Sequence, residues 1–168
     1  RGLYDANQVK LTASDFPAEP AGTKALSSVE TIAKLKGDPK LGAAAIAVCY
    51  TCHRIGDQGI EYGPNLTTYG RQQSTETIIQ ALAQPSAMIS HGYEGSRLVT
   101  KDGLVITGIV LTQGDPTMIK GVGGAIQTIP ADRIKSVEKL EKSLMYTPAM
   151  LGLTDKSVAD LTAYLKSL

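Results

Sequence analysis

Both cysteines of this 168-residue chain fall within one five-residue segment, Cys49-Tyr50-Thr51-Cys52-His53, in which a histidine directly follows the second cysteine. Two thiols three positions apart, with an imidazole beside them, can attach a cofactor, exchange electrons as a dithiol or bind a metal ion. The chain has only one other histidine. The fold must therefore place this segment where one of these chemistries can operate.

The order Cys-x-x-Cys-His is the attachment signature of c-type haem. The thiols of Cys49 and Cys52 would each add to one vinyl group of the porphyrin, and the imidazole of His53 would lie under the iron as an axial ligand. Aromatic side chains are scarce, with seven Tyr, one Phe and no Trp, so a buried porphyrin would supply much of the large apolar surface of the core. The sequence predicts one covalently attached haem c.

Three other interpretations of the segment stay open. A thioredoxin-type redox pair needs a strand before it, whereas the alanines of 43–47 favour a helix. A structural zinc site would need a fourth ligand besides Cys49, Cys52 and His53, and His91 is the only other strong nitrogen or sulfur donor. A disulfide between the two cysteines would close a very small loop and leave His53 unexplained.

Composition excludes some classes of function. The chain has 17 basic and 16 acidic residues, a net charge of +1, which offers no electrostatic footprint for nucleic acid. With 42% hydrophobic residues it can bury one core, or a principal domain with an insertion. The sequence contains no run of about 18 apolar residues and so does not predict a membrane span. No signal peptide is visible at its start. Because the chain begins at Arg1, we expect a mature or excised fragment.

Helix signals flank the motif and recur at the end of the chain. Residues 1–26, rich in Pro, Ala, Thr and Asp, are predicted to form an arm or linker. A capping box from Ser27 predicts a short helix up to Gly37, and Asp38-Pro39 predicts a second helix that runs into the motif. Ser74 predicts a cap for a helix over 75–83. Thr154 predicts the cap of a last helix, whose apolar residues recur at helical intervals.

The chain changes character between these helices. From Arg97 to about Leu140 it is rich in β-branched residues and alternates in polarity, with turn signals at Lys101-Asp102-Gly103 and 121–124. This pattern predicts a β-meander of four or five strands, inserted at about 93–140 in a helical protein.

Ten residues after His53 comes Gly63-Pro64-Asn65-Leu66, and Gly70-Arg71 follows. With the Cys-x-x-Cys-His segment, this spacing resembles class I cytochromes c. The resemblance implies that the carbonyl of Pro64 accepts a hydrogen bond from the second imidazole nitrogen of His53, which would fix the ring. It also implies that Arg71 pairs with a haem propionate, and that the last helix packs across the helix before the motif.

The stretch from Gly37 to Leu168 is similar to one branch of that family, the haem-binding domain of Planctomycetes and Verrucomicrobia. Its matching pieces include Cys-His-Arg-Ile-Gly at 52–56, Gln-Pro-Ser at 84–86 and Leu-Thr-Ala-Tyr-Leu at 161–165. The resemblance implies a mainly α cytochrome c fold over 27–168, with helices around one haem c and the β-meander between the motif half and the distal methionine segment. It also implies export to the periplasm of a bacterium, and a chain that is a domain of a larger polypeptide.

The sixth ligand of the iron is expected to be Met145. The resemblance places it in a Ser-x-Met segment shortly before the last helix, although here Tyr146-Thr147-Pro148 follows where the family has proline directly. Met150 is the first rival. Met88 and Met118 are expected to be packing residues, and His91 an ordinary loop residue.

These expectations predict a protein that carries single electrons and is not an enzyme. Its partners would be a dehydrogenase-type donor and a cytochrome or oxidase acceptor. One alternative is a haem-based gas sensor or haem enzyme with an open or labile distal site, since the segment after Met145 departs from the family pattern. Another treats the β insertion as a docking surface, with the domain acting as an adapter between a dehydrogenase and its acceptor.

Overall fold

The computed structural model describes residues 19–168, so most of the arm predicted for 1–26 lies outside the described residues. The helical elements are α1 (Val29–Ala33), α2 (Pro39–Ala45), a 3-10 helix (Ile46–Thr51), α3 (Tyr69–Gln72), α4 (Thr75–Ala83) and α5 (Asp155–Ser167). The strands are β1 (Gly95–Thr100), β2 (Val105–Thr112), β3 (Thr117–Lys120), β4 (Ile126–Ile129) and β5 (Ile134–Lys139), with a second 3-10 turn at Ala131–Arg133.

Most predicted helix starts are confirmed by side-chain caps. The side chains of Asp38, Ser74 and Thr154 each accept a hydrogen bond from a backbone N–H of the first turn. The cap of α1 was predicted one residue too early, because Ser28 holds that position. Ser27 is occupied elsewhere: its hydroxyl and its backbone N–H both donate to the carboxylate of Asp155. The start of α1 is thereby joined to the start of α5.

The predicted packing of the last helix against α2 is confirmed. Gly37 and Gly42 allow this contact. A Cβ on Gly37 would lie 2.2 Å from the carbonyl oxygen of Ala159, and a Cβ on Gly42 would lie 2.1 Å from that of Asp160. No side chain tolerates such a distance. Around it lies a helical core of ten buried residues: Ile32, Ile46, Ile55, Ile78, Ile79, Leu82, Val158, Ala159, Leu161 and Leu165.

The strands form one antiparallel sheet in the order β4-β3-β2-β1-β5. Strands β1 to β4 form the predicted meander, but β5 does not continue it, because it pairs with β1. β4 and β5 are at opposite edges, about 19 Å apart in a flat sheet. Five residue steps join Ile129 to Ile134. Fully extended, they would reach about 18 Å at most, and part of this link is a 3-10 turn. The sheet must therefore curl so that its two edges approach each other.

The curled sheet encloses a hydrophobic core of its own. Leu98, Ile106, Ile119 and Ile129 are buried together, with Val110, Ile134 and Val137 packed against them. All seven residues belong to the sheet. The chain enters and leaves this unit at one place, where the N–H of Leu140 donates to the carbonyl of Gly95 over 2.9 Å.

The expectation of a mainly α cytochrome c fold is wrong. The structure is a mixed α/β fold in which a five-stranded antiparallel sheet lies beside the helices. Helices make up only about 31% of the structure. The physical reason is the second core: the sheet segment buries its own apolar residues and is not a surface extension of a helical protein. Across residues 19–168, no helix combines the length and apolar character that crossing a membrane requires.

Candidate cofactor site

The Cys-x-x-Cys-His segment lies where the chain leaves α2. The helix tightens into the 3-10 turn of 46–51, and the backbone N–H groups of Cys52 and His53 then both donate to the carbonyl of Cys49, over 3.1 and 2.7 Å. Both cysteines are half-buried and free. The short turn therefore presents two thiols and an imidazole within one compact piece of backbone.

The loop after the segment folds back onto it. The N–H of Gly63 donates to the carbonyl of Cys52 over 2.6 Å, and the N–H of Ile60 donates to the carbonyl of Tyr50 over 3.3 Å. Gly59, at φ +83°, approaches so closely that a Cβ would lie 2.0 Å from the carbonyl oxygen of His53. These contacts fix the path of the chain from the motif to Pro64.

His53 is oriented by the carbonyl of Pro64. The Nδ1 atom lies 2.7 Å from that oxygen, and since a carbonyl only accepts, Nδ1 carries the proton and Nε2 keeps its lone pair. Burial lowers the pKa of His53, while the bond to Pro64 acts in the opposite direction. The ring is therefore neutral at pH 7, which is the form that binds a metal.

The imidazole lies in a cavity between the helices and the sheet. Its lining is mostly apolar and includes residues of the motif loop, of α4, of β2 and of the segment before α5: His53, Leu66, Ile78, Leu82, Ile109 and Met145. The lining therefore brings together the predicted proximal residue and the predicted distal residue, which are 92 positions apart in the sequence.

Among the candidate distal ligands, Met145 is the best placed. It lines the cavity and packs against the helical core, and its N–H donates to the hydroxyl of Ser143, whose own N–H donates to Ser86 beyond α4. Met88 also lines the cavity, but it is 66% exposed.

The other candidates lie elsewhere. Met150 and Met118 are not among the lining residues. The side chain of His91 is fully exposed and lies 3.4 Å from the carboxylate of Glu94. The structure therefore does not bring His91 toward the motif.

Arg71 is exposed at the end of α3 and is not among the lining residues. Its pairing with a propionate stays a prediction. Cys49 packs against the helical core, whereas Cys52 lines the cavity.

Sequence reasoning missed the part that the sheet plays. Ile109 of β2 lines the cavity, the ammonium of Lys120 on β3 donates to the carbonyl of Glu61 over 2.6 Å, and Gly95 of β1 lies under the side chain of Leu144. The alternation along β2 predicted a strand but not which layer it would face. Tyr62, a buried lining residue just before Gly63, was also missed.

The environment of the motif weighs against two of its alternative interpretations. Burial, with a smaller effect of Cys52, raises the pKa of the Cys49 thiol to about 11, whereas a dithiol redox centre needs a lowered value. A helix, and not a strand, precedes the motif. Within residues 19–168, no three or more His, Cys, Asp or Glu side chains are grouped so that they could hold a metal ion.

No protein-family model matches the chain, and no curated protein matches it significantly.

The residues present fit a covalently attached haem. Gly63 lies flat against the ring of His53, where a Cβ would be 2.6 Å from Cε1, so a side chain there would displace the imidazole. A neutral imidazole, an adjacent thiol, a methionine and a mostly apolar lining share one cavity. Tyr62 lines the same cavity, and its buried hydroxyl has no hydrogen-bond partner among the described residues. These are the features expected of a cavity that a large, mainly apolar group with a few polar atoms fills.

Proposed function

We propose that this chain is a monohaem c-type cytochrome that carries single electrons. The observation that carries the proposal is the bond from His53 Nδ1 to the carbonyl of Pro64, 2.7 Å long, in a cavity that Met145 also lines. The bond holds a neutral imidazole with a free Nε2, beside two thiols at the spacing that haem attachment uses.

Five residues would hold the cofactor. Cys49 and Cys52 would form the two thioether bonds, His53 and Met145 would bind the iron, and Pro64 would orient the imidazole. When bound, the haem supplies an iron that changes between the ferric and ferrous states. A histidine and methionine pair raises the reduction potential, and the apolar lining formed by residues such as Ile78 and Leu82 excludes water.

The distal segment favours electron transfer over gas binding or catalysis. Ser143 and Ser86 anchor the backbone on the N-terminal side of Met145, and Leu144 packs against β1 at Gly95. A methionine held in this way would keep the sixth position filled. An open distal site, as in a sensor or enzyme, would need this segment to be displaced.

The partners follow from the same proposal. A dehydrogenase-type protein would supply electrons, and a cytochrome or oxidase would accept them, on the exported side of a bacterial membrane, where c-type haem is attached. The chain would act alone or as one domain of a larger polypeptide. Its formal net charge of +1 gives no preference for an acidic or a basic partner.

The test is the spectrum of the protein after co-expression with a haem-attachment system and export. We expect haem that stays on the chain after denaturation, and a weak long-wavelength sulfur-to-iron band in the ferric protein. Met145→Ala should abolish the band, while the matched variant Met150→Ala should keep it.

Two results would contradict the proposal in different ways. If the chain carries no covalent haem although the same cells load a known c-type cytochrome, the proposed haem attachment is wrong. Covalent haem without the band, together with rapid binding of carbon monoxide by the reduced protein at neutral pH, would instead establish an open distal site and the sensor or enzyme alternative.

A further inference from the structure

Tyr62 is the most unusual polar residue of the cavity. It precedes Gly63-Pro64, and its backbone N–H donates to the carbonyl of Cys52 over 3.1 Å, which holds the residue beside the motif. The residue is only 3% exposed and is one of those that line the cavity. The position is thus fixed by the same loop that orients His53.

The hydroxyl of Tyr62 is buried and has no hydrogen-bond partner within residues 19–168. Buried tyrosine hydroxyls usually find a partner, since an unpaired one loses its hydrogen bonds to water without compensation. Burial, with smaller effects of Cys52 and Tyr146, raises the pKa of Tyr62 to about 12. The group therefore keeps its proton at neutral pH and is available as a donor.

We propose that the hydroxyl of Tyr62 donates a hydrogen bond to a carboxylate oxygen of the bound haem. This inference rests on the proposed function. The edge of a porphyrin is hydrocarbon except for its two carboxylates, which are its strong acceptors. A bond from a neutral donor to an ionised oxygen is also stronger than one between neutral groups.

The bond would influence the iron through charge. A buried carboxylate near the iron stabilises the ferric state, and a donor that bonds to this carboxylate weakens that effect. Tyr62 would therefore hold the cofactor in one orientation and raise its reduction potential.

The test compares Tyr62→Phe with Tyr164→Phe in the haem-loaded protein. Tyr62 lines the cavity, whereas Tyr164 packs against the helical core and is not among the lining residues; each variant removes one hydroxyl oxygen and leaves the ring. At pH 7 we expect Tyr62→Phe to lower the reduction potential by about 30 mV, roughly a threefold shift of the oxidised-to-reduced ratio. Tyr164→Phe should leave the potential unchanged. In the wild type, the Tyr62 hydroxyl proton should be visible by NMR as a slowly exchanging signal close to the haem.

Three outcomes would overturn the inference. An unchanged potential in Tyr62→Phe would show that the hydroxyl does not bond to the haem. A lowered potential with a shifted sulfur-to-iron band would show that the acceptor is the sulfur of Met145. A wild-type chain without covalent haem would remove the proposed function and this inference together, whereas the first two outcomes leave the proposed function intact.

Discussion

Gly42 lies directly against the carbonyl of Asp160: a Cβ at position 42 would be 2.1 Å from that oxygen. The contact is between two backbones, α2 against α5, and neither can move without moving its helix. Because α2 continues into the cysteine motif, the position of the motif relative to the helical core depends on this glycine.

Gly42→Ala should therefore destabilise the protein. Overpacking of a close contact costs about 1–3 kcal/mol, and here backbone would have to shift. Thermal unfolding of the haem-loaded protein measures the effect. Gly114→Ala is the matched control, since a Cβ at 114 meets nothing within 4 Å; equal melting temperatures for the two variants would contradict the prediction.

Asp160 should make stability depend on pH. This buried carboxylate accepts hydrogen bonds from the backbone N–H of Asp38 and from the ammonium of Lys156. Burial by itself would raise the pKa of Asp160, but these bonds outweigh it and the pKa is lowered. A lowered pKa stabilises the fold above the value of the unfolded chain, about 3.9, and this contribution is lost as the pH falls through the folded value.

Asp160→Asn should consequently cost about 1–2 kcal/mol near pH 7 and much less in acid. Unfolding by denaturant at pH 7 and at pH 3 measures both values. Asp132→Asn, at an exposed position of the second 3-10 turn, should change neither. A cost for Asp160→Asn that is the same at the two pH values would argue against the charged form as the stabilising one.

Gly63→Ala should disturb the axial histidine without removing it. The added methyl group would lie 2.6 Å from Cε1 and 2.9 Å from Nδ1 of His53, so the ring must turn away from the carbonyl of Pro64. We expect less haem to be attached, or a shifted reduction potential where it is attached. Gly121→Ala, whose methyl group would meet only one atom, at 3.8 Å, serves as the control. A spectrum and potential equal to those of the wild type would show that the ring tolerates the displacement.

Gly95→Val should weaken the distal site from the side of the sheet. A Cβ at position 95 would lie 2.9 Å from the side chain of Leu144 and 3.0 Å from that of Leu140. The larger side chain would push Leu144, and with it Met145, away from its place. We expect a weaker sulfur-to-iron band and faster carbon monoxide binding, with no change for Gly114→Val. If the band is unaffected, the sheet does not support the distal segment.

The sequence predicted local structure well because local signals are strong here. Asp38, Ser74 and Thr154 have the side chains that cap helices, and the alternation after Arg97 is typical of strands. The cap of α1 was misplaced because Ser27 bonds to Asp155, 128 positions away, and no local pattern reports such a partner.

The prediction of the fold class failed for a related reason. Periodicity indicates that a strand has one apolar face. It does not indicate whether that face packs against a neighbouring layer or whether the sheet curls around a core of its own. The residues that enclose the second core, such as Leu98 and Ile119, have the same local pattern in either case. The participation of Ile109 in the cavity depends on the curl of the sheet and could not be seen from its neighbours in the sequence.

The hydrogen bond between Leu140 and Gly95 has a consequence for how such a chain can change over time. Because the sheet begins and ends at one point, its loops can lengthen, shorten or be exchanged without changing the distance that the helical part must bridge. The turn at 101–103 is exposed, whereas the turn at 121–124 reaches the motif loop, where a Cβ on Gly124 would lie 3.8 Å from the side chain of Ile60. Variation in the turn at 101–103 would give relatives different outer surfaces while the cavity keeps the same wall.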